Sequence, residues 1–254
     1  MKEVNNVKYF NILEIVEFFS TDETKESIKN YFETKKLDGK KIDGEWHTTK
    51  ENIEKLIEKI ENVSITFSDP QEVDLSNIDL NGRILDIGGG GEGVIGQLKG
   101  NSVVAIDLRK SELEESLEAG DKESLKIIMD AKDLKFLDNT FNIVTAFFSL
   151  MYVPNTDHKQ IFTEIYRVLK EDGQFLLWDL IIPKNIKKKQ IFVVPIKIQI
   201  KYKEIITGYG IRWNKEQNLE YFIGLAKKVG FVIYEQQQEE EYFFLRLKKI
   251  RTYP

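Results

Sequence analysis

Five apolar runs constrain this chain more than any other feature: residues 83–87 (RILDI), 102–106 (SVVAI), 125–129 (LKIIM), 142–148 (NIVTAFF) and 174–180 (QFLLWDL). Their hydrophobicity is continuous rather than alternating, which predicts strands covered on both faces. Helical patterns lie between them. The clearest covers 158–169, where Ile161, Ile165, Val168 and Leu169 share a face, with Asp157 and Gln160 as a start signal and Asp172-Gly173 as a stop. Strands alternating with helices predict an α/β fold with a doubly wound, mostly parallel sheet, and ligands at the carboxyl ends of its strands.

The flanking regions have a different character. Ile196, Ile198, Ile200 and Tyr202 alternate with Lys197, Gln199, Lys201 and Lys203, the pattern of a strand with one wet face. Residues 184–204 hold seven lysines and one acid, which suits either an anionic acceptor or an edge strand guarded by lysines. A helix is expected over 215–229, capped by Asn214 with Gln217. Two strands, 231–236 and 242–248, then form a near-hairpin that makes one strand of the sheet antiparallel. At the other end, 12–19 and 23–34 read as short helices. The Asp43-Gly44 pair turns a hairpin between 40–42 and 45–47, and Thr48 with Glu51 opens a helix burying Ile53, Leu56, Ile57 and Ile60. The expected division is a small module over 1–62 and a larger domain over 63–254.

Composition excludes several chemistries. The chain has no cysteine, so disulfides, thiolate metal sites and cysteine nucleophiles are absent together. Its two histidines, His47 and His158, read as surface or capping residues, and no metal site is expected. Lys and Arg number 37 against 42 Asp and Glu, which gives no global attraction to nucleic acid or anionic membrane. Neither a signal peptide nor a bilayer-spanning stretch is legible, so the expected setting is cytoplasmic.

Four consecutive glycines, Gly88 to Gly91, follow the first apolar run, and with Glu92-Gly93 they satisfy G-x-G-x-x-G. That motif can seat a pyrophosphate on backbone N–H groups. Asp86 and Glu92 flank the loop, and like charges at short range oppose a phosphate by roughly 1 kcal/mol or more each. The same carboxylates suit a ligand carrying an ammonium and a sulfonium. A tight turn without ligand and a nicotinamide seat are the other readings of the motif taken alone.

"LDIGGGGEG", "VVAIDL", "IIMDAKDLKFLDNTFNIVTAFFSLMYV" and "IYRVLKEDGQFLLWDL" resemble, in order and spacing, the successive motifs of class I S-adenosylmethionine-dependent methyltransferases over about residues 80–180. The resemblance implies a Rossmann-like, seven-stranded sheet with one antiparallel strand, and S-adenosyl-L-methionine as cofactor. It implies that Gly88 and Gly90 admit the methionine part and ribose, and that Asp86 holds the amino group. Asp107 would accept the ribose hydroxyls, Asp130 and Ala131 would meet the adenine edge, and Phe147 and Ser149 would line the methyl-transfer mouth. The third glycine of the common pattern falls where Glu92 stands, a departure from the family. No general base is assignable, because a sulfonium displacement needs one only when the acceptor must lose a proton. Phe147-Phe148-Ser149-Leu150 is not the Asp/Asn-Pro-Pro-aromatic motif of amino methyltransferases acting on DNA bases, and without cysteine the covalent route to cytosine C5 is closed. A small-molecule acceptor is the expectation. A regulator that senses S-adenosylmethionine without transferring a methyl is the alternative.

Residues 9–60 resemble the winged helix-turn-helix of excisionase and mercury-resistance-regulator proteins, which implies a small helical winged-helix-like domain. Residues 1–60 nevertheless hold eleven lysines against thirteen acids, a net charge of −2, so weak or no DNA binding is expected. By analogy with related methyltransferases, 182–212 is expected to cover the acceptor or to contact the second copy in a homodimer.

Overall fold

The structure, a computed structural model, describes residues 2–4, 7–16, 18, 24–61, 64–184 and 190–250. The chain begins with β1 (Lys2–Val4), β2 (Val7–Asn11), α1 (Ile12–Val16), α2 (Lys25–Glu33), β3 (Lys40–Ile42), β4 (Glu45–Thr49), α3 (Lys50–Glu61), β5 (Ser64–Phe67) and β6 (Gln71–Asp74). It continues through β7 (Ile84–Ile87), α4 (Val94–Lys99), β8 (Val103–Asp107), α5 (Lys110–Ala119), β9 (Leu125–Ile128) and β10 (Phe141–Phe147). Then follow α6 (Asn155–Val168), β11 (Leu169–Leu180), β12 (Gln190–Ile200), β13 (Lys203–Arg212), α7 (Leu219–Val229), β14 (Phe231–Gln238) and β15 (Tyr242–Lys249).

These elements cluster into two compact units. One comprises the described residues up to Val73 with those of 182–199 and 204–216. The other comprises 74–181, 200–203 and the described residues from Gln217 onward. The first break therefore falls at 73/74, later than the expected 62/63, and most of 182–212 groups with the N-terminal residues. Sheet pairing is the physical reason: β12 runs parallel to β5, with Ile191 opposite Ile65 and Val193 opposite Phe67.

In the first unit, β1, β2, β4 and β3 form an antiparallel sheet in that order. Asp43 and Gly44 both take positive φ, 52° and 88°, in the tight turn between β3 and β4, as the right-handed twist of a two-residue hairpin demands. Helices α1, α2 and α3 bury Ile15, Ile28, Phe32, Ile53, Leu56 and Ile57 in one core, joined by Ile191 and Val193 from β12. The Ile60 side chain lies outside the described residues. Thr48 belongs to β4, where its hydroxyl donates to the Asp38 carbonyl, and Thr49 instead accepts from the Asn52 N–H at the start of α3. His47, read as a surface or capping residue, is buried, with its Nδ1 3.0 Å from the Glu45 carbonyl. The lysine-bearing β12 is not an edge either: β13 and β5 flank it, and β6 also pairs with it.

The second unit carries a seven-stranded sheet in the order β14-β15-β11-β10-β7-β8-β9. Neighbours from β11 through β9 run parallel, and β15 is antiparallel to both β11 and β14. The expected seven-stranded α/β sheet with one antiparallel strand is therefore present. Helices α6 and α7 cover one face through Ile161, Phe162, Ile165, Phe222 and Ala226, packed against Phe175, Phe243 and Leu245 of the sheet. Edge strand β9 departs from the expected two-sided burial, with Leu125 and Ile128 both more than half exposed. Helix α7 starts four residues later than expected. Its N-cap is Asn218, whose side chain accepts from the Tyr221 N–H at 2.9 Å, and Asn214 plays no part in the cap. Among the described residues no helix is long and apolar enough to cross a membrane.

Candidate functional site

Strands β7, β8, β9 and β10 end level with one another. Ile87 is in register with Ile106 and Ala146, Asp107 with Ile128, and Phe147 with Trp178 on β11. This carboxyl edge is where the polar and glycine residues gather. Leaving β7, the chain donates the Gly88 and Gly89 N–H groups to the Ile106 carbonyl at 2.8 and 3.0 Å. The Gly91 N–H goes to the Glu112 carbonyl, and the Gly93 N–H to that of Gly90. Four of the six N–H groups between Gly88 and Gly93 are thus engaged inside the protein, which removes most of the donors a pyrophosphate cradle needs.

The glycines are required first by the protein itself. Gly88 has φ +69°, and a Cβ there would overlap the Ser149 Cβ. A Cβ on Gly90 would overlap that of Glu112 and lie 3.2 Å from Asp107 Oδ2. One on Gly89 would come within 2.6 Å of Asp86 Oδ2. Asp86, Gly88, Gly90, Asp107 and Ser149 are therefore brought together around a single loop.

Asp86 is buried in the sheet, and its Oδ1 accepts the Thr145 hydroxyl at 2.6 Å. Burial pushes its carboxyl up to about 7. The Thr145 bond pulls it down, and the charges of Asp121 and Asp107 push it further up. Asp107 closes β8, and its Oδ1 accepts the Arg109 N–H at 2.8 Å. It does not cap α5, whose N-cap is Arg109. Burial raises the Asp107 carboxyl above its ordinary value, against the Arg109 N–H bond and charge. Glu112, in the first turn of α5, is likewise raised by burial, with Asp107, Glu115 and Glu92 adding repulsion and Arg109 opposing it at 2.9 Å.

Asp130 lies two residues past β9 and is about one-third exposed. Its Oδ1 accepts the Lys132 N–H at 2.9 Å, while Lys132 Nζ stands 3.7 Å from Oδ2 and 3.0 Å from Asp157. Ala131 packs against the sheet core. Phe147, buried, packs on Phe148 and Trp178 at ring-centroid separations of 4.8 and 5.5 Å. Phe148 then takes φ +49°, a strained conformation for a bulky side chain. That kink aims the Ser149 hydroxyl at the Ile87 carbonyl, 2.7 Å away. His158, read as a surface or capping residue, is buried in the first turn of α6: Nε2 faces the Leu150 carbonyl and Nδ1 the Tyr221 hydroxyl, each at 3.0 Å.

Three residues of the site escaped the sequence reading. Thr145 had a signal, a polar residue inside a buried apolar run. Glu112 had only its place in the first turn after Asp107. Asp121 had none: its side chain is buried against Gly93 and Gly96 and pairs with Lys126 Nζ at 2.9 Å. Among the described residues no His, Asp and Glu cluster has the geometry to hold a metal ion.

Residues 85–177, which span this strand edge, match the family described as a methyltransferase domain. The chain is similar to the sterol 4-C-methyltransferase strm-1 of Caenorhabditis elegans, 35% identical over 108 residues, covering 40% of this chain and 32% of that protein. It is also similar to a demethylmenaquinone methyltransferase of Listeria welshimeri, 35% identical over 94 residues, covering 35% of this chain and 39% of that one. The matched segments thus span only 32% and 39% of the length of these curated relatives. A solved SAM-dependent methyltransferase from Methanosarcina mazei, 19% identical, superimposes with a TM-score of 0.51 over 70% of this chain and 99% of its own, which shows a shared fold.

Proposed function

We propose that the second unit binds S-adenosylmethionine at the carboxyl ends of β7, β8 and β9 and transfers its methyl group to a small-molecule acceptor. One observation carries the reading: Asp86, Asp107 and Asp130 stand at or next to the ends of three consecutive parallel strands, around a loop whose N–H groups mostly turn inward. Such a rim offers acceptors, and the cofactor offers donors in the same order: an ammonium, two ribose hydroxyls and an adenine amine. Asp86 would hold the amino group and Asp107 the ribose. Asp130 would take the adenine amine, with Ala131 against the ring. Gly88 and Gly90 would let the backbone approach, and Phe147 and Ser149 would border the sulfonium. When bound, the cofactor supplies an electrophilic methyl on sulfur. The chain aligns the acceptor behind that methyl and keeps water away, which is where in-line displacement gains its rate.

The curated relatives' names, a sterol and a demethylmenaquinone methyltransferase, support an acceptor that is a small molecule. The N-terminal residues keep the reading of a winged helix-turn-helix-like module with weak or no affinity for duplex DNA. On its hairpin, Lys40 Nζ sits 3.9 Å from the centroid of the Tyr9 ring and Lys41 Nζ 5.3 Å from that of Trp46. Calorimetry against S-adenosylmethionine, S-adenosylhomocysteine and NADH tests the cofactor, and labelled methyl transfer to small-molecule and DNA pools tests the acceptor. Binding of NADH alone would overturn the proposal.

A further inference from the structure

At the carboxyl end of β11 lie two buried polar residues to which the proposed cofactor site assigns no role. Asp179, fully buried, follows Trp178, whose carbonyl accepts the Phe148 N–H at 2.9 Å. Asp179 therefore neighbours the Phe147–Ser149 segment. Its Oδ1 accepts the Leu180 N–H at 2.8 Å. Gln217 Nε2 donates to the carbonyl of the same Leu180 at 2.9 Å.

That bond fixes the orientation of the Gln217 amide, because a carbonyl only accepts and so must face the NH2 group. The amide oxygen is left over. It is buried and has no hydrogen-bond partner among the described residues, although Gln217 is only 1% exposed. A buried acceptor without a donor carries its whole desolvation penalty, and native structures rarely leave one without a use.

Resting on the methyltransferase reading above, we infer that Gln217 Oε1, with Asp179 bonded to the same Leu180 backbone, recognises a hydrogen-bond donor on the acceptor. The pair selects acceptors bearing a neutral hydroxyl or an amine. It rejects carboxylates and phosphates, whose oxygens would face an amide oxygen and a carboxylate in a dry place. Specificity of this kind is strong because the Gln217 amide oxygen stays unpaired when the wrong ligand binds.

The test uses the full chain with S-adenosylhomocysteine present and four ring probes of similar size: benzyl alcohol, benzylamine, toluene and benzoate. Ligand-observed NMR titrations should show the alcohol and the amine binding roughly tenfold more tightly than toluene or benzoate. In Gln217→Met and in Asp179→Asn the preference should shrink to about threefold or less. Gln217→Met should also melt within about 5 °C of the parent, since losing the orphaned amide oxygen offsets part of the cost of leaving the Leu180 carbonyl without its donor. Equal binding of all four probes, no binding of any, or an undiminished preference in both variants would overturn the inference. So would a Gln217→Met protein that melts many degrees lower, which would make the amide structural. If S-adenosylhomocysteine fails to bind while the donor preference persists, the cofactor reading fails and the donor site stands.

Discussion

Replacing Asp86 by Asn should make the second unit more stable at neutral pH, and by an amount that grows with pH. The carboxyl lies inside the sheet, burial lifts it from 3.8 to about 7, and the Thr145 hydroxyl bond only partly opposes the lift. The folded state therefore keeps a proton that the unfolded chain has already lost. Asp86 contributes its stability fully below about pH 4, and that contribution disappears as the pH rises through 7. About three pKa units at 1.36 kcal/mol each make the full swing about 4 kcal/mol, of which about 2.5 kcal/mol falls between pH 5 and pH 8. Asn keeps an oxygen for the Thr145 hydroxyl and has no proton to lose. Urea unfolding followed by Trp178 fluorescence, in a Trp46→Phe, Trp213→Phe background, isolates this unit. The stability gap between Asp86→Asn and its parent should widen by about 2.5 kcal/mol from pH 5 to pH 8. Parallel pH profiles for the two proteins would refute the buried, proton-holding Asp86.

Other perturbations have equally definite outcomes. An ammonium beside Asp86 favours the ionised form, so affinity for S-adenosylhomocysteine should rise from pH 6 to pH 7 by up to about fivefold, with a proton released that calorimetry in two buffers can count. Asp107→Ala should weaken cofactor binding by about 1.5–3 kcal/mol, or roughly 10- to 150-fold, with the fold intact; an unchanged Kd would reduce Asp107 to a turn residue. Gly88→Ala combines a left-handed φ with overlap on Ser149 and should cost about 2–5 kcal/mol, whereas Gly44→Ala, with open space around it, should cost only about 1–2 kcal/mol. For duplex DNA, four lysine contacts from Lys25, Lys29, Lys40 and Lys41 would give a log–log salt slope of only about −3.6, so the full chain should bind no more than weakly at physiological salt; steep, sub-micromolar binding would show a dedicated DNA surface.

The sequence made the central sheet legible because its strands are long apolar runs whose meaning does not depend on distant partners. Each of the strands from β7 to β11 includes or overlaps the run that predicted it. What it concealed was set by non-local pairing. β1 and β2 are short, and β2 exists through its register with β4, Phe10 opposite Thr48. The lysines of 184–204 suggested an edge, yet β12 is interior because β5, far away in the chain, pairs with it. At α7, Asn214 and Asn218 are both fitting caps, and the choice of Asn218 leaves Gln217 turned inward to Leu180 rather than out to solvent. In the same way, the acids at strand ends were readable from position, whereas Glu112 and Asp121 reach the glycine loop only through the packing of α5 and the segment after it.

That packing changes what the row of glycines means. A phosphate-binding loop keeps its N–H groups pointed at the ligand, and its glycines clear a path for an anion. Here the N–H groups of Gly88, Gly89, Gly91 and Gly93 are donated to Ile106, Glu112 and Gly90, and the space cleared is filled by Ser149, Asp86 and Glu112. The loop is tight because side chains from three other segments press on it, and those at its rim are largely carboxylates. Burial shifts Asp86, Asp107 and Glu112 all upward, and the mutual repulsion of the carboxylates adds to the shift at Asp86 and Glu112. A cation entering such a rim gains the carboxylate attraction and favours the charged forms that burial disfavours, while an anion meets repulsion. The discrimination between a sulfonium-ammonium ligand and a dinucleotide follows from which way the loop's dipoles face, and G-x-G-x-x-G spacing alone does not encode that direction.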